Sequence, residues 1–385
     1  MKKIENNILC WCNNPEEGAI QQALNISTHP WLVGNVCLMP DTHEGYGMPI
    51  GGVVALDNAV SPNMVGVDIG CGMLAVKTSL TDISKEQLKL IVEYIKENIP
   101  VGFKHRSTPV SLSHPLFTRV SEWLNTEICN NEFSSARNQL GTLGGGNHFI
   151  EIQKGSDGHI WFMIHSGSRN LGKKVAEYYN KKAIELCKTW KYHDLVKKEL
   201  CILPIDTEEG QAYLREMHLC LEFSKANREM MADIIKEGFK KVCTVSFEDT
   251  INIQHNYASL EHHYGKNVWV HRKGATLARE DTVGIIPGSQ GTSSYIVKGK
   301  GNKASLCSCS HGAGRKMSRM KARKELDLEN EKKLLEDKGI IHSINSVEDL
   351  DEASSAYKDI DIVMKEQEDL VEILVELKPL AVVKG

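Results

Sequence analysis

The chain has 385 residues, 41% hydrophobic and 25% charged, the balance of a globular protein with a sizeable core; this excludes a disordered, coiled-coil or collagen-like chain. Forty-six Lys and Arg against fifty Asp and Glu leave a formal charge of −4, so this is no polycation that coats nucleic acid, and a nucleic-acid role would need a local basic site. Eleven scattered cysteines, odd in number and without a framework spacing, suit a reducing cytosol better than a disulfide scaffold. The N-terminus turns polar at once, and no run approaches the roughly 20 apolar residues of a membrane helix, so a cytoplasmic protein with no membrane partner is expected.

In chain order, residues 30–78 are glycine-rich and apolar, and runs such as Val36-Cys37-Leu38-Met39 read as buried strands ending in tight turns. Residues 84–97 predict a surface helix: Ser84 and Gln87 fit a capping box, and Leu88, Ile91, Val92 and Ile95 share a face. Strand texture returns at 140–172, around Trp161-Phe162-Met163-Ile164. Residues 209–239 predict a long helix with Leu219, Phe223, Ala226, Met230 and Ile234 as its apolar stripe. Residues 251–300 read as strands, 312–333 as an exposed helix of mixed charge starting near Lys316, and 369–383 as helix or strand. Helices and strands interleave without a repeat or low-complexity linker, which points to an α/β or α+β fold in a single domain, 1–385.

Five histidines stand beside small or flexible residues at the ends of apolar runs: His43, His148, His165, His255 and His311. Strand ends put side chains at a sheet rim, and glycine lets a substrate approach. One such histidine is ordinarily a hydrogen-bonded structural residue; five rings set among glycines indicate a site. Asp68-Ile69-Gly70-Cys71-Gly72 adds a carboxylate and a thiol able to face one pocket from a turn. A buried cysteine usually behaves as a small hydrophobe. Cys71, between glycines, has little apolar wall; a thiolate ligand explains it better, and a bridging thiolate could hold two cations together. Mixed Asp, Cys and His ligation suits a first-row dication, with Mn, Zn, Fe and Co all open.

The stretches Gly141-Thr142-Leu143-Gly144-Gly145-Gly146 and Pro287-Gly288-Ser289-Gln290-Gly291-Thr292 offer backbone N–H groups to phosphate, without a Walker A or dinucleotide-binding pattern. Arg169 and the pair Arg272-Lys273 offer positive charge to a polyanion. His311, at a glycine turn leading into a helix, reads equally as a nucleophile towards phosphorus, a metal ligand or a general base.

Together these motifs resemble the RtcB family of RNA-splicing ligases, from Met39 to the C-terminal Lys384-Gly385. The resemblance is carried by Met39-Pro40-Asp41-x-His43-x-Gly45-Tyr46-Gly47, Val65-Gly66-Val67-Asp68-Ile69-Gly70-Cys71-Gly72, the stretch 141–151 and His165-Ser166-Gly167-Ser168-Arg169. It continues through His255-Asn256-Tyr257, Arg272-Lys273-Gly274-Ala275, Pro287-Gly288-Ser289, His311-Gly312-Ala313-Gly314-Arg315 and Ala356-Tyr357-Lys358-Asp359, in family order. Two departures stand out: Gln290 where many members carry Met, and Ser354-Ser355 before Ala356-Tyr357. Residues 103–137 hold little recognisable motif, and substrate preference could diverge there.

The resemblance implies a single large mixed domain with a metal-containing central cleft. It implies a Mn²⁺- and GTP-dependent ligase joining an RNA 3′-phosphate or 2′,3′-cyclic phosphate to a 5′-hydroxyl, in RNA repair or tRNA splicing. Asp68, Cys71, His148, His165 and His255 would hold two Mn²⁺ ions, with Cys71 shared, and His311 would take GMP as a phosphoramidate. Asn147, Glu151, Asn256, Pro287, Gly288, Ser289, Gln290, Ser294, Gly312, Ala313, Gly314, Tyr357 and Lys384 would surround the guanylate. Glu151 would accept from guanine's N–H donors and Lys384 would donate to its O6. Arg169 would anchor an RNA phosphate, and Arg169, Arg272, Lys273 and Arg315 would line one RNA-facing surface. An archease-type activator is a possible partner. A metal-dependent phosphoesterase and a non-catalytic RNA-binding scaffold are the competing classes; a hydrolase would need neither His311 nor Lys384.

Overall fold

In the computed structural model, which describes residues 1–5, 7–248 and 250–385, two large sheets carry a mixed α/β fold. One has six strands, in the spatial order Lys2–Lys3, Ile8–Cys10, Leu32–His43, Ile50–Leu56, Lys266–Lys273 and Asn256–His263. The other has seven: Ile251–Gln254, Gly72–Lys77, Ile160–Ser166, Phe149–Gly155, Val371–Lys384, Ser294–Gly299 and Val283–Ile286. Strands read as unbroken apolar runs because both of their faces are covered. In the first sheet Val36 and Leu38 enter one core while Cys37 and Met39 enter another. In the second, Leu74, Val76, Phe162 and Ile164 pack beneath the helices Lys85–Asn98 and Glu208–Val242, while Met73, Ala75 and Met163 face the opposite side.

The capping box forms as expected: Ser84 accepts from Gln87 N, the Gln87 side chain returns to Ser84 N, and Leu88, Ile91, Val92 and Ile95 are buried. Two expectations need correction. Residues 312–333 form no single helix. Ser318 and Asp327 each cap a helix start, giving separate helices Arg319–Glu325 and Leu328–Glu336. Residues 369–383 resolve to a strand, Val371–Lys384, paired on both sides.

The second correction concerns the long helix. Leu219 and Phe223 are buried, but Ala226, Met230 and Ile234 lie at its margin; the inward positions there are Asn227, Arg228, Met231 and Ile235. The stripe shifts because this stretch of helix faces glycine loops with polar backbone to satisfy. Asn227 Oδ1 accepts from Gly141 N (2.7 Å) and Thr142 N (3.1 Å), and its Nδ2 donates to Thr142 O and Ser166 Oγ (3.1 Å each). Arg228 Nη1 donates to Gly70 O (3.0 Å) and Ser166 O (2.8 Å).

One junction positions the site. Ile251–Gln254 belongs to the seven-stranded sheet and Asn256–His263 to the six-stranded one, so His255 is the residue at which the chain crosses between them. Its N–H donates to Cys71 O (2.9 Å) and its carbonyl accepts from Ala275 N (3.2 Å).

Replacing Asn227 with Leu keeps the volume but leaves the buried Gly141 and Thr142 N–H groups unpaired. The expected cost is about 3 kcal/mol in urea unfolding; a loss below about 1 kcal/mol would contradict the assigned role.

Candidate active site

The metal-type residues sit at the ends of neighbouring strands of the seven-stranded sheet. Cys71 precedes Gly72–Lys77, His148 precedes Phe149–Gly155 and His165 is the penultimate residue of Ile160–Ser166. Gly72 pairs with Ser166 and Phe149 with His165, so the register brings these ends together. Donor atoms of Cys71, His165 and His255 lie within 4.8 Å of one another, as do those of Asp68, Cys71 and His148. Cys71 belongs to both groups, with its Sγ 3.2 Å from His165 Nε2 and 3.6 Å from His148 Nε2.

Backbone carbonyls orient two of the rings. His148 Nδ1–H donates to Leu143 O (3.0 Å) and His165 Nδ1–H to Asn147 O (2.9 Å), which leaves each Nε2 lone pair facing the cluster. Burial first, then neighbouring imidazoles, lower His165 to about 3 and His255 well below its ordinary value, so both rings are neutral at pH 7. Burial and then Asp68 push the Cys71 thiol well above its ordinary range. A cation bound here would make it a thiolate. Neutral imidazoles, a carboxylate and a buried thiol fit a divalent cation.

His311 adjoins this cluster, its ring centroid 4.8 Å from that of His255 in an edge-to-face arrangement. Asp41, fully buried, accepts at Oδ2 from His311 Nδ1–H (2.6 Å) and from the backbone N–H of His311 (3.0 Å) and Gly312 (3.3 Å). Burial works against the Asp41 carboxylate, but His311 outweighs it and holds the group below its ordinary value. The imidazole is thus fixed with its Nε2 lone pair away from Asp41. His43, whose Nδ1–H donates to Asp41 O (2.9 Å), also lines the site. Asp41 was quoted above only as part of a motif. An invariant-looking Asp before a His gives no sign that it serves another His 270 positions away in the chain.

His311 and His165 open onto a cavity of about 700 Å³. Asn147, Glu151, Pro287, Gly288, Ser289, Gln290, Gly312, Ala313, Gly314, Tyr357 and Lys384 all line it. Asn256 and Ser294 support its walls: Asn256 bonds Asp68 O (3.0 Å) and Gly274 N (2.7 Å), and Ser294 Oγ accepts from Gly288 N (3.1 Å). Glu151 Oε2 accepts from Gln153 (3.1 Å) while Oε1 is buried without a partner, and burial raises its carboxyl well above the ordinary range. Gln290 Nε2 donates to Glu352 O (2.8 Å), and its Oε1 is also unpartnered. These orphaned acceptors suit a ligand rich in N–H and O–H donors.

Glu352 was missed by sequence reasoning. Its carboxylate takes Arg319 Nε (2.9 Å), Arg315 Nη1 (3.2 Å) and the Tyr357 hydroxyl, with Lys384 Nζ at 3.6 Å. Burial opposes the charge, but Lys384 and then Arg319 prevail and bring Glu352 down to about 2. Lys384, lowered chiefly by its own burial, keeps Glu352 as its counter-ion.

The expected cationic surface does not form. Arg272 is fully buried against Glu261, and Lys273 donates to the carbonyls of Tyr46 and Asn63. Burial lowers Lys273 to about 7. Both residues lie on a strand flanked on either side within the six-stranded sheet, which takes them out of any RNA-facing surface. Arg169 is half-buried, with Nη2 donating to Gly102 O (3.2 Å) and Nε to Thr142 Oγ1 (3.3 Å), beside His148.

The sequence profile of the family described as "tRNA-splicing ligase RtcB" matches residues 22–385. The RNA-splicing ligase RtcB of Escherichia coli K12 is 35% identical, over 96% of this chain and 95% of its own length. The tRNA-splicing ligase RtcB of Nanoarchaeum equitans is 34% identical over 96% and 92%, and RNA-splicing ligase RtcB homolog 1 of Entamoeba histolytica 32% over 95% and 83%.

Two outcomes test this geometry. Cys71→Ala removes the donor common to both groups, so bound divalent metal measured by elemental analysis should fall to near zero in a folded variant; undiminished metal would rule out the shared ligand. Glu352, depressed from 4.5 to about 2, contributes stability that is present above pH 4.5 and lost as pH falls towards 2. Glu352→Gln should therefore cost about 3 kcal/mol at pH 7, and the gap from wild type should narrow at pH 3 in thermal unfolding.

Proposed function

The chain belongs to the RtcB family, and from that premise we propose that it is an RNA ligase that uses GTP and Mn²⁺ to join an RNA 3′-phosphate or 2′,3′-cyclic phosphate to a 5′-hydroxyl. The observation that carries this reading is the contact between an oriented imidazole and a two-group metal-type cluster: His311 held by Asp41 and packed on His255. A phosphoesterase could use such an imidazole as a general acid, but it would form no guanylate, so labelling by GTP separates the two readings.

In this reading Asp68, Cys71 and His148 would hold one cation, and Cys71, His165 and His255 another. Such cations would supply charge neutralisation for phosphoryl oxygens. His311 Nε2 attacks the α-phosphorus of GTP; an N–P bond forms, and the bond to pyrophosphate breaks. Asp41 retains the Nδ1 proton and balances the positive charge that the ring acquires, much as a buried carboxylate supports the histidine of a hydrolase triad. An oxygen of the RNA 3′-phosphate then takes the guanylate from His311. The 5′-hydroxyl attacks the activated 3′-phosphorus, loses its proton and displaces GMP. A cyclic phosphate is first opened by water to the 3′-phosphate.

Glu151 and Lys384 at the cavity wall support guanine selection: the unpartnered Glu151 Oε1 suits the base's N–H donors, and the Lys384 ammonium suits O6. Asn147, Gly288, Ser289, Gln290, Gly312, Ala313, Gly314 and Tyr357 enclose the rest of the nucleotide, with Pro287 in the same wall and Asn256 and Ser294 behind it. Arg169, beside His148, meets an RNA phosphate. Residues 1–385 act as one catalytic unit. The eleven free thiols suit work in the cytoplasm, with an archease-type protein as a candidate activator. RNA repair and tRNA splicing are both uses of this chemistry.

Incubation with GTP labelled at the α-phosphate and Mn²⁺ should give an acid-labile protein label. His311→Ala should abolish it, and Asp41→Asn should slow it by roughly tenfold or more. No label on the wild type, or an undiminished label on His311→Ala, overturns the covalent mechanism.

A further inference from the structure

Residues 98–121 contain no Asp or Glu, although one residue in about eight of the whole chain is acidic. Within this stretch stand Lys104, His105 and Arg106, and before them Phe103, whose 103% exposure is the highest among the exposed large hydrophobic side chains. Neither Lys104 nor Arg106 has a carboxylate partner among the described residues, whereas Arg119, further along, is occupied by Glu122 and Glu222. An aromatic face flanked by cations without a carboxylate partner, on a stretch of chain with no acidic residue of its own, is complementary to a polyanion that carries stacking bases.

The placement matters as much as the composition. Gly102 N donates to Gly144 O (2.9 Å), Leu143 N donates to Pro100 O (2.9 Å), and Gly102 O accepts from Arg169 Nη2 (3.2 Å). Arg106 N donates to Asn138 O (2.9 Å). Phe103 is therefore on a segment hydrogen-bonded to the loop that orients His148, one residue from the Arg169 contact.

We propose that Phe103 and Lys104 form a docking surface for single-stranded RNA, where a base next to the reacting end stacks on the Phe103 ring and Lys104 meets a backbone phosphate. This rests on the ligase reading above and adds the place where the RNA strand is held. The surface acts on strand binding and leaves GTP chemistry to the cavity. An acidic protein surface is the other occupant that such a patch could take, and the test separates the two.

The experiment measures binding of a 12-nucleotide single-stranded RNA with a 3′-phosphate to the full-length protein, by fluorescence anisotropy across a KCl series. In parallel, the same proteins are tested for labelling by GTP. Phe103→Ala should weaken RNA binding about tenfold, Phe103→Trp should restore it, and neither should change GTP labelling. Lys104→Gln should weaken binding and reduce the slope of log affinity against log salt by about one counter-ion. If the wild type labels with GTP and binds RNA but Phe103→Ala binds equally well, the docking surface is overturned while the ligase reading stands. That result would leave the patch to a protein partner. A wild type that neither labels nor binds RNA overturns both.

Discussion

A loop made largely of glycine has no side chains with which to hold itself, so something outside it must pair its backbone. Here that task falls to two consecutive residues on one long helix. Asn227 grips the Gly141–Thr142 turn and Ser166, and Arg228 grips Gly70 and Ser166. Those segments lead directly to His148, His165 and Cys71. The helix thus sets the spacing of donors that lie far apart in the chain, and the glycines leave the space that phosphates and a nucleotide need. Buried amide and guanidinium groups of this kind are stable only when almost fully paired, so loosening one loop would disturb the other two.

Charge is distributed with equal care for what is close to it. His165 and His255 are held neutral by burial, so a cation could bind between them without expelling their protons. The one fully ionised carboxylate at the opposite end of the cavity, Glu352, is surrounded by Arg315, Arg319 and Lys384. That leaves the cavity with surplus positive charge near Tyr357 and Lys384 and an unpaired acceptor at Glu151. Asp41 binds both remaining histidines of the site, His311 through its carboxylate and His43 through its carbonyl.

Much of this could be read from the residues in order. The capped helix after Ser84, the strands around Val36 and Trp161, and the histidines at strand ends all follow from local periodicity and from side chains that pack poorly beside glycine. The stripe of the long helix was misplaced beyond Phe223 because hydrophobic periodicity cannot register an inward face whose neighbours are backbone carbonyls and amides. Arg272 and Lys273 were placed on the surface for a related reason. Charged residues are usually solvated, and the Glu261 carboxylate and the carbonyls that hold them are brought close by strand pairing, not by sequence proximity.

By itself the sequence determined the kind of chemistry available, a mixed Asp, Cys and His donor set with one histidine set apart, together with the family to which the pattern is similar. Only the tertiary structure decided that Cys71 sits between two donor groups, that Asp41 serves His311, that Glu352 gathers three cations, and that Phe103 stands beside Arg169. The reason is physical. Residue identity and local spacing specify what a side chain can bond, whereas which partner it meets depends on strand register and on the crossing of the two sheets at His255.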